Sequence, residues 1–115
     1  MVDQDIPILK KSFELYKIFH EYRKLIPKGD RFTVYERSES LIIEVIEYLA
    51  EAGYMNRGNK VEILERASVK LNTLRLLIRL MKETKALDLK KYTNLQVIID
   101  EIGRMLGGWI RSSGK

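Results

Sequence analysis

The sequence predicts an all-α protein: one antiparallel, up-down four-helix bundle occupying the single domain 1–115. Three observations carry this. Apolar residues recur at alternating spacings of three and four along most of the chain, and no stretch sustains the period of two that a strand needs. Only three places break the pattern, and each is short, which makes consecutive helices antiparallel neighbours. Two prolines and seven glycines are too few for a turn-rich β domain, while 45% hydrophobic and 32% charged residues suit a globular chain.

The first helix is expected over 7–26. Pro7 fits its opening turn, where a missing N–H leaves nothing unpaired. Its apolar face runs Ile8, Ser12, Leu15, Phe19, Tyr22, Ile26, with one polar lapse at Ser12. Pro27 disfavours helix at Ile26, and Gly29-Asp30 supplies turn chemistry. The second helix is expected over 31–53. Thr33 followed by Glu36 fits a capping box, with Asp30 as an alternative cap one turn earlier. Its core set is Leu41, Ile42, Val45, Ile46, Leu49 and Ala52, and Ser38 also falls on the core-facing side.

The stretch GYMNRGN (53–59) reads as the second break, with Gly53 and Gly58 as stop signals. The third helix, 59–85, would start at Asn59 with Glu62 three residues on, a looser capping box. Its seam is Leu64, Ala67, Leu71, Leu74, Ile78, Met81. Lys85 to Asp88 forms the third break. Asp88 then caps the fourth helix, 88–112, whose seam is Tyr92, Leu95, Ile99, Ile102, Leu106, Trp109. A spacing near 3.5 keeps each seam facing its neighbours in left-handed bundle packing.

The third helix is more apolar than one seam requires. At 100° per residue, Val69, Thr73, Leu76 and Leu80 form a second stripe roughly opposite the first. Two readings fit: the helix lies deep within the bundle, or Val69, Leu76 and Leu80 form a subunit interface. A bundle of four helices encloses none of them fully, which favours the interface. Gly103 and Gly107 lie four apart on the fourth helix, where each glycine costs about 1 kcal/mol relative to alanine. Close approach of a neighbouring backbone would compensate; early fraying near Gly107-Gly108 is the alternative.

Charge is uneven along the chain. The formal total is +5. Residues 1–30 hold six basic and five acidic side chains, residues 31–58 three and five, residues 59–87 seven and three, and residues 88–115 five and three. The excess therefore falls on the third and fourth helices. Arg75, Arg79 and Lys82 share about 60° of arc, Arg66 and Lys70 lie on the other shoulder of the seam, and Arg104 and Arg111 are two turns apart. Clustered cations attract phosphate by counterion release, and arginine forks onto its oxygens. These seven residues are the candidates for binding nucleic acid or a partner, and a ring of copies would multiply their field.

Catalytic chemistry is hard to assemble from this composition. There is no cysteine and one histidine, His20, which reads as a packed or surface residue. A metal site would have to be all carboxylate. Glu44, Glu47 and Glu51 share one stretch of helix but lack the Glu-x-x-His motif of a di-iron bundle. No phosphate-cradling glycine loop is present, and no serine has a partner base. The chain is read as non-enzymatic and without a cofactor. No apolar run is long enough to cross a membrane. The N-terminal MVDQDIPILKK lacks a signal-peptide core, which makes the cytoplasm the expected location.

Particular residues go further. IPKGDRFTVYERSE (26–39) resembles the loop and second-helix start of the Avd family, the accessory variability determinants of diversity-generating retroelements. RASVKLNTLRLLIRLMKETKALDLKKY (66–92) and DEIGRMLGGWIRS (100–112) resemble that family's third and fourth helices and C-terminal signature, with GRMLGGWI the most distinctive part. The resemblance spans residues 8–112. A wider group, the ribosomal RNA intervening-sequence proteins, shares the four-helix fold. Its paired arginines and Asn-Ile-Ala-Glu-Gly segment are missing here, which favours Avd. The resemblance implies a homopentameric barrel with a basic surface. It implies binding to the retroelement's reverse transcriptase and template RNA, in mutagenic retrohoming. It also makes Arg66, Lys70, Arg75, Arg79 and Arg104 first candidates for contact.

Overall fold

Four long helices account for most of the chain: α1 (Pro7–Tyr22), α2 (Val34–Tyr54), α3 (Arg57–Glu83) and α4 (Leu89–Ser113). The computed structural model describes residues 6–55 and 57–114, and the side chains of all of these except 57–59. The described residues are all helical or turn, with no strand. Helix α2 packs on α3, α3 on α4, α4 on α1 and α1 on α2, so the four close into an up-down ring around one core. The rod they form measures 44 × 22 × 21 Å.

The four seams meet in that core. Leu64, Ala67, Leu71, Leu74, Ile78 and Met81 of α3 are all buried, as are Leu95, Ile99, Ile102 and Leu106 of α4. Leu15, Phe19, Leu41, Ile42, Val45, Leu49 and Ala52 pack with them, among others, while Tyr22, Ile46, Tyr92 and Trp109 are partly buried at the margin. Two serines are buried with these side chains. Ser12 donates to the Ile8 carbonyl and Ser38 to the Val34 carbonyl, each at 2.8 Å. Bonding to the carbonyl four residues back satisfies a hydroxyl without a tertiary partner, which explains how a polar residue sits in an apolar seam.

The first connection differs from expectation. Helix α1 ends at Tyr22 and tightens into a 3-10 turn, Arg23–Leu25, because Pro27 forces Ile26 into an extended conformation (φ −80°, ψ 135°). The Arg23 N–H then bonds to the His20 carbonyl instead of reaching back to Phe19. The Tyr35 hydroxyl takes up the Phe19 carbonyl so released, donating at 2.7 Å in a fully buried position. The Phe19 and Tyr35 rings stack with centroids 4.4 Å apart. Burial, and secondarily the charge of Glu39, pushes the Tyr35 phenol well above its ordinary value.

Residues Lys28–Arg31, expected as a simple turn, form a one-turn helix. That turn also overrides the expected capping box. The Thr33 hydroxyl faces back to the Gly29 and Asp30 carbonyls, both at 3.5 Å, and makes no cap bond to α2. Asp30 lies inside the one-turn helix and does not cap α2 either. Gly53, expected as a stop, is inside α2, which runs on to Tyr54, and α3 begins at Arg57. The second break is thus shorter than expected. The side chain of Asn59, and with it the proposed cap, lies outside the described residues.

At the third connection α3 closes in a Schellman motif. The Ala86 N–H bonds to the Met81 carbonyl at 2.8 Å and the Lys85 N–H to the Lys82 carbonyl at 3.0 Å. Lys85 occupies the left-handed position, φ 68°. The cap on α4 is as expected: Asp88 accepts from the Lys91 N–H at 2.8 Å. The Lys91 side-chain and backbone hydrogen bonds hold the Asp88 carboxyl below the ordinary aspartate value.

Tyr35→Phe should destabilise the fold by about 1–3 kcal/mol in chemical denaturation, since a buried carbonyl is left without a donor. The same variant tests the raised phenol. A tyrosine that ionises later in the folded than in the unfolded state contributes stability below pH 10. That contribution is lost as pH rises past 10, because the unfolded chain releases its proton first. Stability of the parent should therefore fall more steeply above pH 10 than that of Tyr35→Phe.

Candidate interaction surfaces

The second stripe of α3 faces solvent in the single subunit: Val69 is 63% exposed, Leu76 65% and Leu80 47%. The reading that places this helix deep inside the bundle does not hold, because α3 has packed neighbours only on the α2 and α4 sides. A second apolar feature lies on a different flank. Phe13, Tyr16, Ile43 and Ile46 line a shallow groove between α1 and α2, edged by Lys17. The seams did not reveal it, since Phe13, Tyr16 and Ile43 stand off the core stripe. Their spacing of three on α1 was the available signal.

The seven cationic candidates fall into separate settings. Arg66 is exposed and has no hydrogen-bond or ion-pair partner among the described residues. Lys70 reaches across to α2 and pairs with Glu44 at 3.1 Å, and Arg37 meets the same carboxylate at 3.1 Å. The Lys70 hydrogen bond, and after it that of Arg37, holds Glu44 below its ordinary value against partial burial. Lys70 is therefore already engaged in joining α2 to α3.

Arg75 lies on the opposite shoulder and joins α3 to α4. It donates to Asp100 at 3.1 Å and to the Asn72 side chain at 2.7 Å. Its guanidinium lies across Gly103, where a Cβ would come within 2.9 Å of Nη2. What approaches this glycine closely is a side chain, not a neighbouring backbone. Arg111 folds beside Gly107 in the same way, with Nη1 3.3 Å from where a Cβ would stand. Helix α4 continues through Gly107-Gly108 to Ser113, so the chain does not fray there. Arg104 is exposed beside Arg75 in a shallow cleft shared with Ser68 and Asp100, and has no partner among the described residues.

Arg79 pairs with Glu83 one turn on, at 3.0 Å. Exposed pairs of this kind contribute about 0–1 kcal/mol and exchange readily for other anions. Lys82 lies over the Tyr92 ring, 4.9 Å from its centroid. The fold thus gathers Arg75 with Arg104, sets Arg79 and Lys82 further along the same edge, and leaves Arg66 and Lys70 on the far shoulder. Cations at the first connection were missed altogether. Arg23, Lys24, Lys28 and Arg31 cluster there, but Asp3, Asp5 and Glu14 dilute the first three in a count over residues 1–30, and Arg31 falls in the acidic 31–58 group.

Among the described residues no other chemistry converges. His20 is exposed and stacks on Tyr16 with centroids 6.0 Å apart. Among the described residues no group of three or more His, Asp or Glu side chains is arranged to hold a metal ion. No helix there is long and apolar enough to cross a membrane.

The described residues thus form a ring of four helices with a solvent-facing apolar stripe on α3 and cations on both its shoulders. The comparisons with known proteins narrow this. The family model described as bAvd-like matches residues 7–113, nearly the whole chain, and the protein belongs to the bAvd-like family. It is therefore an Avd-like accessory protein in general terms. A search of curated proteins finds no match.

Gly103→Ala should separate structure from charge placement. Its Cβ displaces the mobile end of Arg75, while alanine favours the helix by about 1 kcal/mol. Thermal unfolding should show equal or slightly higher stability, because the exposed Arg75–Asp100 pair it disturbs is worth about 0–1 kcal/mol. A loss of several kcal/mol would show that the guanidinium bridge holds α3 to α4.

Proposed function

We propose that this chain is an accessory subunit of a diversity-generating retroelement. It acts in the cytoplasm as a basic homo-oligomer, a pentamer by its family likeness, that binds the reverse transcriptase together with template RNA or cDNA during mutagenic retrohoming. The observation that carries the oligomer is the solvent-facing stripe Val69, Leu76, Leu80 on the helix whose segment, 59–87, is also the most cationic. Burying either leucine contributes about 1.5–3 kcal/mol, and soluble monomers seldom leave such a stripe open. A stripe on one flank and an apolar groove on another suit head-to-tail contact, which closes rings. Repetition around a ring would multiply the +5 of each copy into a repeating positive field.

A second reading has its own support. Lys70 is held by Glu44 and Arg75 by Asp100. Cations consumed within the subunit suit a structural module that oligomerises and pairs its charged faces with a protein, without nucleic acid.

Leu76→Glu with Leu80→Glu should yield a helical monomer near 13.5 kDa by sedimentation where the parent is a multimer. A monomeric parent at every concentration would overturn the oligomer, and an intact multimer in the variant would move the interface elsewhere. Parent affinity for RNA or DNA should fall steeply with salt. Oligomerisation with no nucleic-acid affinity would favour the second reading.

A further inference from the structure

Grouping charge by helix conceals how the fold distributes it along the rod. The turn between α1 and α2 and the turn between α3 and α4 lie at the same end of an up-down bundle. Tyr22 ties them together: its hydroxyl accepts from Asn94 at 3.4 Å, and the Lys91 ammonium lies 5.9 Å from its ring centroid. Residues 20–33 hold four Lys/Arg and two Asp/Glu, and residues 79–92 hold five and two. These two segments together carry +5, the formal charge of the entire chain, and the remaining residues hold twelve of each sign. The first turn of α2 at this end adds only Glu36 and Arg37, which cancel.

Elsewhere on the rod acids equal cations in number, and although Arg66 and Arg104 stay unpaired among the described residues, other cations are engaged. Lys11 sits between Glu14 at 3.1 Å and Glu101 at 3.5 Å, and Lys70 on Glu44. At the basic end several lysines lack such partners. Lys28 and Lys85 are exposed with no side-chain partner among the described residues, Lys90 is exposed with only the nearby charge of Asp88, and Lys24 only approaches Glu21 at 3.8 Å. Helix dipoles do not offset this charge, since two helix N-termini and two C-termini share the end. The end face is about 22 × 21 Å. With a screening length of about 8 Å in physiological salt, fields of cations packed on such a face overlap.

We propose that this end of the bundle, built from the two turns, is the surface that takes the phosphate backbone of a nucleic acid. The match is one of charge density. Duplex DNA carries a charge per roughly 1.7 Å of axis, so about a dozen phosphates cross a face of this width. Flexible lysines suit a backbone read without sequence, as point charges rather than forks. Arg31 serves the surface indirectly. It donates to the Ile26 carbonyl at 3.0 Å and holds the turn that presents Lys24 and Lys28. This proposal rests on the reading of the protein as a nucleic-acid-binding accessory and names where that binding occurs.

The test compares two charge-matched variants of the full chain. In the first, Lys24→Gln, Lys28→Gln, Lys85→Asn and Lys90→Gln remove four cations from the basic end. Asparagine at 85 tolerates the left-handed backbone. In the second, Lys60→Gln, Arg66→Gln, Arg104→Gln and Arg111→Gln remove four elsewhere. Binding of a mixed-sequence RNA and of the matching DNA duplex is measured from 50 to 200 mM salt, with circular dichroism and sedimentation as checks on fold and assembly. The end variant should lose affinity, and on the duplex its log–log salt slope should flatten by about 0.9 for each phosphate contact removed, while the second variant keeps most of the parent slope. Equal loss in both variants would show a diffuse charge effect and overturn the proposal, and loss confined to the second would place the contact on α3 and α4. A parent that binds neither RNA nor duplex but retains a polyglutamate peptide would overturn nucleic-acid binding itself and assign the end to an acidic protein segment.

Discussion

The bond from the Tyr35 hydroxyl to the Phe19 carbonyl sets where the first two helices meet. Pro27 makes it necessary. By forcing Ile26 to extend, the proline tightens the end of α1 into a 3-10 turn, and a carbonyl inside the core loses its helical donor. A buried carbonyl without a partner is costly, so the start of α2 must bring a donor to it. Tyr35 does so and stacks on Phe19 as it arrives. The position of Tyr35 in turn fixes the rotation of α2 that buries Ser38 and aims Leu41, Val45 and Leu49 inward. With α2 set, the α3 seam has one place to pack, and the opposite side of α3 is left to solvent.

That leftover side connects fold to function. Val69, Leu76 and Leu80 face outward because the seam Leu64 to Met81 faces in, and a helix cannot hide both. The cations at the shoulders are partly spent on joining helices: Lys70 toward α2 and Arg75 toward α4. Those that remain open, Arg66 and Arg104, lie away from the turns. The apolar stripe runs up to the basic end of the rod, where Leu76 and Leu80 share a shallow groove with Arg79 and Glu83.

Much of this was legible in the sequence. Seams such as Leu64, Ala67, Leu71, Leu74, Ile78, Met81 keep their period for several turns, and such persistence has one structural meaning. Asp88 was readable as a cap because nothing precedes it that competes for its carboxylate. Thr33 was not, because a one-turn helix just upstream draws its hydroxyl backwards. Gly53 was misread as a stop, since glycine weakens a helix without ending it unless its backbone turns left-handed, and no described glycine does so. The exposed stripe was visible as an excess of apolar residues, although its exposure awaited the packing. The charged end was hidden for a simple reason: residues 20–33 and 79–92 are far apart in the chain and become neighbours only on folding.

Lys85 carries one more implication. It stands in the left-handed position that closes α3, where glycine is the usual occupant and a side chain costs about 1 kcal/mol of backbone strain. Every other requirement of that turn is met by hydrogen bonds that glycine would make equally well. The residue is thermodynamically second best for the bend it makes, so replacing it by glycine would ease the backbone while taking one cation from the end of the rod where the two turns meet.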